Sequence, residues 1–233
     1  MPNTNSIFTR MSTDQKEGTP LPILDSEEIR VLGALMEKSR ATPEYYPMTL
    51  NGLTAACNQK TSRNPVVNYE EQTVGLILDR LKRKNMVATV TGGSSRVVKY
   101  RHTIALHYQF TPDEIAVLCL LFLRGPLTPG EINSSSGRLY EFDDLSEVQQ
   151  VLEKLSSDAQ PFLKLLPRQP GQKEARYLHL FADETMLETY LNESTSHSNS
   201  NTTSNLEERL RIVEEELAAL KTSFEKLMKE WIG

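Results

Sequence analysis

Glu28-Ile29-Arg30-Val31-Leu32 returns as Glu114-Ile115-Ala116-Val117-Leu118, 86 residues further along the chain. Working outward, Met48-Thr49 and Leu53 return as Leu127-Thr128 and Ile132 at an offset of 79. Val74, Leu78 and Leu81 return as Val148, Leu152 and Leu155 at an offset of 74. The order of the pieces is kept while the offset shrinks, so the second copy has the shorter loops. Two copies of about 80 residues suit a pair of small domains, because a solenoid needs three or more stacked units to bury its core.

Local signals place elements on each copy. Asp25, with Glu28 three residues on, reads as a capping box opening a helix through Ile29, Leu32, Leu35 and Met36. Pro43 and Pro47 stop it, and a short helix follows from Thr49 to about Asn58. Asn68 with Glu71 reads as a second box, opening a helix through Val74, Ile77, Leu78 and Leu81 to Lys84. Alternation at residues 87–90 and 97–100 around Gly92-Gly93 predicts a β-hairpin. In the second copy Thr111-Pro112-Asp113-Glu114 combines cap, proline and acid ahead of an amphipathic helix to Leu123. Helices over residues 128–134 and 145–155 follow, and segments 162–166 and 175–180 flank a Pro-Gly turn. Helix, helix, helix, hairpin is the plan of a winged helix. The expected class is mainly α with small β-hairpins (α+β): two tandem winged-helix domains plus a C-terminal coiled-coil helix.

The expected divisions are a flexible arm over residues 1–24, a first domain over 25–108, a second over 109–192, a Ser/Asn/Thr-rich linker over 193–205 and a helix over 206–232. In that helix Leu206, Leu210, Val213, Leu217, Leu220, Phe224, Leu227 and Trp231 keep a 4-3 spacing, the seam of a heptad repeat. With Leu210 at a, the pairs Arg209 with Glu214 and Glu216 with Lys221 attract across a parallel pair. Self-association through this helix is expected, the alternative being a helix that folds back on its own domains.

No stretch approaches the roughly 18 apolar residues of a membrane span, and the N-terminus lacks the apolar core of a signal peptide, so a cytoplasmic protein without membrane contact is expected. Cys57 and Cys119 sit in apolar helical patterns as free buried thiols. The net charge of −5 is uneven: residues 25–102 carry 12 Lys/Arg against 8 Asp/Glu, whereas 109–192 carry 7 against 13. Nucleic acid, if bound, would meet the first domain.

Several blocks carry a further signal: Thr42-Pro43-Glu44 with Tyr46-Pro47, Ala56-Cys57-Asn58-Gln59-Lys60-Thr61, Arg63 with Pro65-Val66, and Arg96-Val97 with Lys99-Tyr100. Arg124-Gly125, Thr128-Pro129-Gly130-Glu131, Tyr140-Glu141-Phe142, and Arg176-Tyr177 with His179-Leu180-Phe181 complete the set. In these residues the chain resembles the YceH-like family of uncharacterised bacterial proteins, over about residues 25–183 and more loosely the C-terminal helix. The resemblance implies the tandem winged-helix fold and no established activity. It leads one to expect more basic character where Asn133-Ser134-Ser135-Ser136 stands, which argues against nucleic-acid contact by the second domain.

No catalytic constellation, metal-ligand spacing or phosphate loop is visible, so no cofactor is expected and the protein reads as non-enzymatic. Asp143-Asp144 directly precedes a helix, where acids complement the dipole. Winged helices often set the third helix in the major groove with the wing on phosphates. Candidate contacts to duplex DNA are therefore Lys60, Arg63, Arg80, Lys82, Arg83, Lys84, Arg96 and Lys99, giving a DNA-contacting regulator. Glu70 and Glu71 at the start of that helix oppose it. The alternative is a scaffold that binds a protein and not DNA. Its candidate surface is Arg138, Tyr140, Glu141, Arg168, Glu174, Arg176, Tyr177 and His179, with alternation turning Tyr177 and His179 outward.

Overall fold

A computed structural model of the chain describes residues 21–190 except 93–94, 158–159, 169–172, 184 and 186. Most of the expected arm, the linker and the heptad helix lie outside the described residues. The first repeat runs α1 (Ser26–Ala41), a 3-10 turn (Pro43–Tyr45), β1 (Met48–Thr49), α2 (Leu50–Cys57), α3 (Glu71–Arg83), β2 (Val87–Gly92) and β3 (Ser95–His102). A short α4 (Ile104–Tyr108) leads into the second: α5 (Pro112–Arg124), α6 (Pro129–Ser136), α7 (Leu145–Ser157), β4 (Leu163–Leu165) and β5 (Tyr177–His179). The molecule is mixed α and β, with small antiparallel sheets. One sheet is ordered β1-β3-β2 with Met48 opposite Tyr100, and the other pairs β4 with β5. Leu127, at the repeat position of Met48, makes one antiparallel bridge to Tyr177. The second sheet thus keeps the β1 pairing in reduced form.

Caps set most of the helix starts. In α1 the Asp25 carboxylate accepts from the Glu28 N–H at 2.8 Å, and the Asp25 N–H donates to Glu28 at 2.9 Å. The Thr111 N–H donates to Glu114 at 2.8 Å, and Thr128 and Glu131 satisfy each other at the head of α6. Asp144 accepts from the Glu147 N–H at 2.9 Å, so this acid caps α7. The expected Asn68–Glu71 box does not form. The N-cap of α3 is Glu70, and the Glu71 carboxylate instead accepts from Asn51 at 2.6 Å. Asn58 fixes the entry by exchanging two hydrogen bonds with the Tyr69 backbone, at 2.7 and 2.8 Å.

The two repeats share one core. Residues 28–36 of α1 and 114–123 of α5 are buried on every side, because α1 and α5 pack directly on each other as well as on their own repeats. The amphipathic character expected of α5 is therefore corrected: a helix enclosed all round keeps no polar stripe. Gly33 and Cys119 hold equivalent positions, 86 apart, and meet at this crossing, the Cys119 thiol 3.5 Å from the Gly33 carbonyl. The same residue position thus faces itself across the seam, as at a two-fold interface. A further tie joins the ends, where the Leu24 N–H donates to the Phe181 carbonyl at 2.7 Å.

Candidate functional site

The repeat explains part of the basic cluster of the first half. Glu28 is buried and ion-paired to Lys84 at 2.6 Å, with Arg80 at 3.8 Å. In the second repeat buried Glu114 is paired to Lys154 at 2.6 Å. Lys154 holds the position of Arg80, 74 residues on, so a cation from the third helix neutralises the acid of the first in both copies. Arg80 also reaches Glu27 at 2.7 Å and Asp25 at 3.3 Å, and Lys84 donates to the Ile23 carbonyl at 2.7 Å. These two cations anchor α3 to the start of α1, an internal task that occupies the groups phosphate contact would use. Lys82 pairs with Asp79 at 2.7 Å. Lys60 and Arg83 are exposed, Lys99 is half-buried, and the side chain of Arg96 lies outside the description.

Arg63 is corrected as a nucleic-acid contact: it is 6% exposed. Its guanidinium bonds Glu37 at 2.6 and 3.0 Å and the Ala56 carbonyl at 2.9 and 3.2 Å. Burial pushes the Glu37 carboxyl up, but the Arg63 guanidinium and Lys38 more than offset this and hold it below the usual range. Arg30 braces the same loop from α1, donating to the Pro65 carbonyl at 2.5 Å and the Cys57 carbonyl at 3.4 Å. Two buried arginines therefore anchor the loop over residues 58–70.

The outward row of α3 reads Gln72, Leu76, Asp79, Arg83, all exposed, with Leu76 59% exposed. A recess lined by Leu76, Asp79, Arg80, Lys82 and Arg83 opens beside it. The equivalent of Leu76 in α7 is exposed Gln150, so the apolar residue is peculiar to the first repeat. On β3, Tyr100 packs toward the core while Arg101 is exposed and Lys99 half-buried on the alternate face.

The candidate surface of the second repeat does not assemble. His179 is fully buried, against the outward orientation expected of it, because α5 covers that face of β5: the Phe122 ring stands edge-on at 4.8 Å. Leu178 on the other face is buried too. Burial pushes the His179 imidazole down to about 3, and His102 to about 4 with help from Arg101. Arg176 is forked onto Glu131 at 2.7 and 2.9 Å and donates to the Pro126 carbonyl. Tyr140 donates to Glu147 at 3.0 Å and packs on Phe142, and Tyr177 is half-buried. Arg138, Glu141, Arg168 and Glu174 are exposed.

Both cysteines are free and buried, and burial raises the Cys57 thiol to about 12. Among the described residues no group of three or more His, Cys, Asp or Glu could hold a metal ion, and no helix is long and apolar enough to cross a membrane.

A family model described as a protein of unknown function, DUF480, matches residues 24–172. The chain belongs to this family. Curated relatives carry the family name UPF0502. One from Shewanella loihica is 43% identical over 210 residues, covering 88% of this chain and 98% of its own. One from Shewanella baltica is 48% identical over 180 residues, covering 75% and 81%. A third, from Opitutus terrae, is 49% identical over 162 residues, covering 69% and 70%. The YceH-like resemblance agrees with this membership.

In this DUF480 chain, sequence reading missed Arg30, which braces the Cys57 and Pro65 carbonyls, and Glu37, Lys38 and Arg124, which line one cleft where the repeats meet. Lys38 and Arg124 are separated by 86, the offset of the first helices, and that equivalence was the signal available. Arg124 donates to Ser62 at 2.9 Å and Ser135 at 2.8 Å, one hydroxyl from each repeat.

Proposed function

We propose that this DUF480 protein is a non-enzymatic pair of tandem winged helices that binds a protein partner through the outer face of α3. The observation that carries it is Leu76, exposed at the middle of the helix face that a DNA-reading winged helix would give to base edges. A helix set in the major groove runs between two rows of phosphates, which the Glu70 and Glu71 carboxylates at the start of α3 would repel. An exposed leucine in a recess it shares with Arg80, Lys82, exposed Arg83 and the Lys82-paired Asp79 suits an apolar protein patch rimmed by acidic charge. The heptad of residues 206–232 would pair two chains and present two such faces together.

A photo-crosslinking side chain at position 76, in cells that make the protein, tests this. The expected adduct is a defined protein that weakens in an Arg83→Glu variant and is absent with the probe at position 150. No protein adduct, or an adduct to nucleic acid, overturns the proposal. One observation favours the second reading, a DNA-contacting regulator: Lys99 and Arg101 lie two residues apart on β3, positioned for phosphates, and Lys60 and Arg83 of the same repeat are exposed. Phosphate contacts alone would give binding without sequence preference.

A further inference from the structure

Between the repeats, at the C-terminal ends of α1 and α5, lies a cleft of about 850 Å³. That is the size of a small-molecule site. Its walls come from both repeats: Lys38, Thr61 and Ser62 from the first, and Arg124, Ser134, Ser135 and Arg138 from the second. The lining holds one carboxylate, Glu37, which is already bonded by Arg63 and by Lys38 at 3.1 Å. Arg124 meets hydroxyls only, and its Nε has no hydrogen-bond partner among the described residues. Arg138 is exposed at the rim. The arrangement has surplus positive charge, hydroxyl donors and no free acid.

The polar elements alone would suit a bare oxyanion, but the volume exceeds one. The lining also holds Ala41, Leu120, Leu123 and Leu139, an apolar part for a carbon body, beside Thr42, Gln59 and Gly137. We infer that this cleft binds a phosphorylated small organic molecule, the phosphoryl group on Arg124, Arg138 and Lys38 and the body on Leu120, Leu123 and Leu139. Cations supply charge-assisted hydrogen bonds, and hydroxyls complete the oxyanion's shell. A ligand seated there touches both repeats. The Ser-rich run at residues 133–136 thereby acquires a role: short donors leave room that longer basic side chains would fill.

Calorimetric titration of the full chain with AMP and with inorganic pyrophosphate tests the inference, with sodium chloride matched in ionic strength as the control. Two variants each put a carboxylate into the cleft: Arg138→Glu at the exposed rim, and Ser134→Glu, which gives up only the exposed hydroxyl bond to the Glu131 carbonyl. The expected result is binding in the millimolar range or tighter, with AMP preferred over pyrophosphate because only AMP has a body. Each variant should weaken it at least about tenfold while its circular dichroism and melting point match the parent. Absence of binding, heat reproduced by matched sodium chloride, or affinity unchanged in both variants overturns the inference. The Leu76→Glu variant should bind AMP as the parent does, so this outcome is independent of the partner proposal.

Discussion

Replacing Gly33 by alanine tests whether α1 and α5 form one packed seam. A Cβ added there would lie 3.0 Å from Leu123 Cδ2, 3.0 Å from Phe122 Cβ and 3.1 Å from Leu123 Cγ. Carbons prefer separations of about 3.5–4.0 Å, so the Leu123 and Phe122 side chains must give by a few tenths of an ångström. Overpacking of this kind costs about 1–3 kcal/mol. Against it stands the helix preference for alanine over glycine, about 1 kcal/mol. The net expectation is a loss of about 0–2 kcal/mol. Gly75 in α3 supplies the control, because nothing lies within 4 Å of its added Cβ. Gly75→Ala should gain the full ~1 kcal/mol, raising the melting point by about 2–4 °C for a chain of this size. Urea unfolding of both variants, followed by circular dichroism, isolates the seam as their difference of about 1–3 kcal/mol. Equal stabilisation by the two substitutions would refute the packing described for Gly33.

Three further outcomes follow from the same contacts. His179 and His102 are held neutral, with folded values of about 3 and 4, below the 6.5 of a free imidazole. The unfolded chain therefore binds more protons between those values, and stability present above about pH 6.5 falls as pH drops toward 4, by up to about 1.4 kcal/mol per unit per histidine. His179→Leu should flatten this slope in urea titrations run from pH 7 to 4; an unchanged slope would mean that His179 is not buried as described. Arg63→Ala leaves the Glu37 carboxylate with Lys38 alone, strips the buried Ala56 carbonyl of its donor and unties residues 58–70, so it should cost about 3–5 kcal/mol and expose that loop to limited proteolysis; a change under about 1 kcal/mol would contradict the loop anchoring. Leu76→Glu should change the unfolding free energy by no more than about 0.5 kcal/mol, as for other surface positions, and a larger loss would show Leu76 to be covered.

The repeat, the element order and most helix starts were legible because short-range chemistry encodes them. Asp25 with Glu28, Thr111 with Glu114 and Thr128 with Glu131 satisfy orphaned N–H groups within four residues, so spacing alone reveals them. Asn68 with Glu71 has the same spacing and fails, because Asn51 and Asn58 reach in from α2 and take over the local partners. Burial over long range was hidden. The all-round enclosure of α5 and the burial of His179 both come from the docking of one repeat on the other, which no periodicity within a segment encodes. The cations were misjudged for a related reason. Arg63, Arg80 and Lys84 read as a basic surface, while their acids, Glu37, Glu27 and Glu28, lie 26 to 56 residues away in sequence.

The most direct test of the partner proposal is fluorescence anisotropy of generic duplex DNA with the full chain, from about 50 to 200 mM salt. The account predicts no binding even at the lowest salt, since two of the eight expected phosphate contacts brace α1, one is buried against Glu37 and one pairs with Asp79. Tight binding that weakens steeply with salt and is lost in Lys99→Glu/Arg101→Glu would contradict it, and would make the β2–β3 hairpin of the first repeat a phosphate-binding surface.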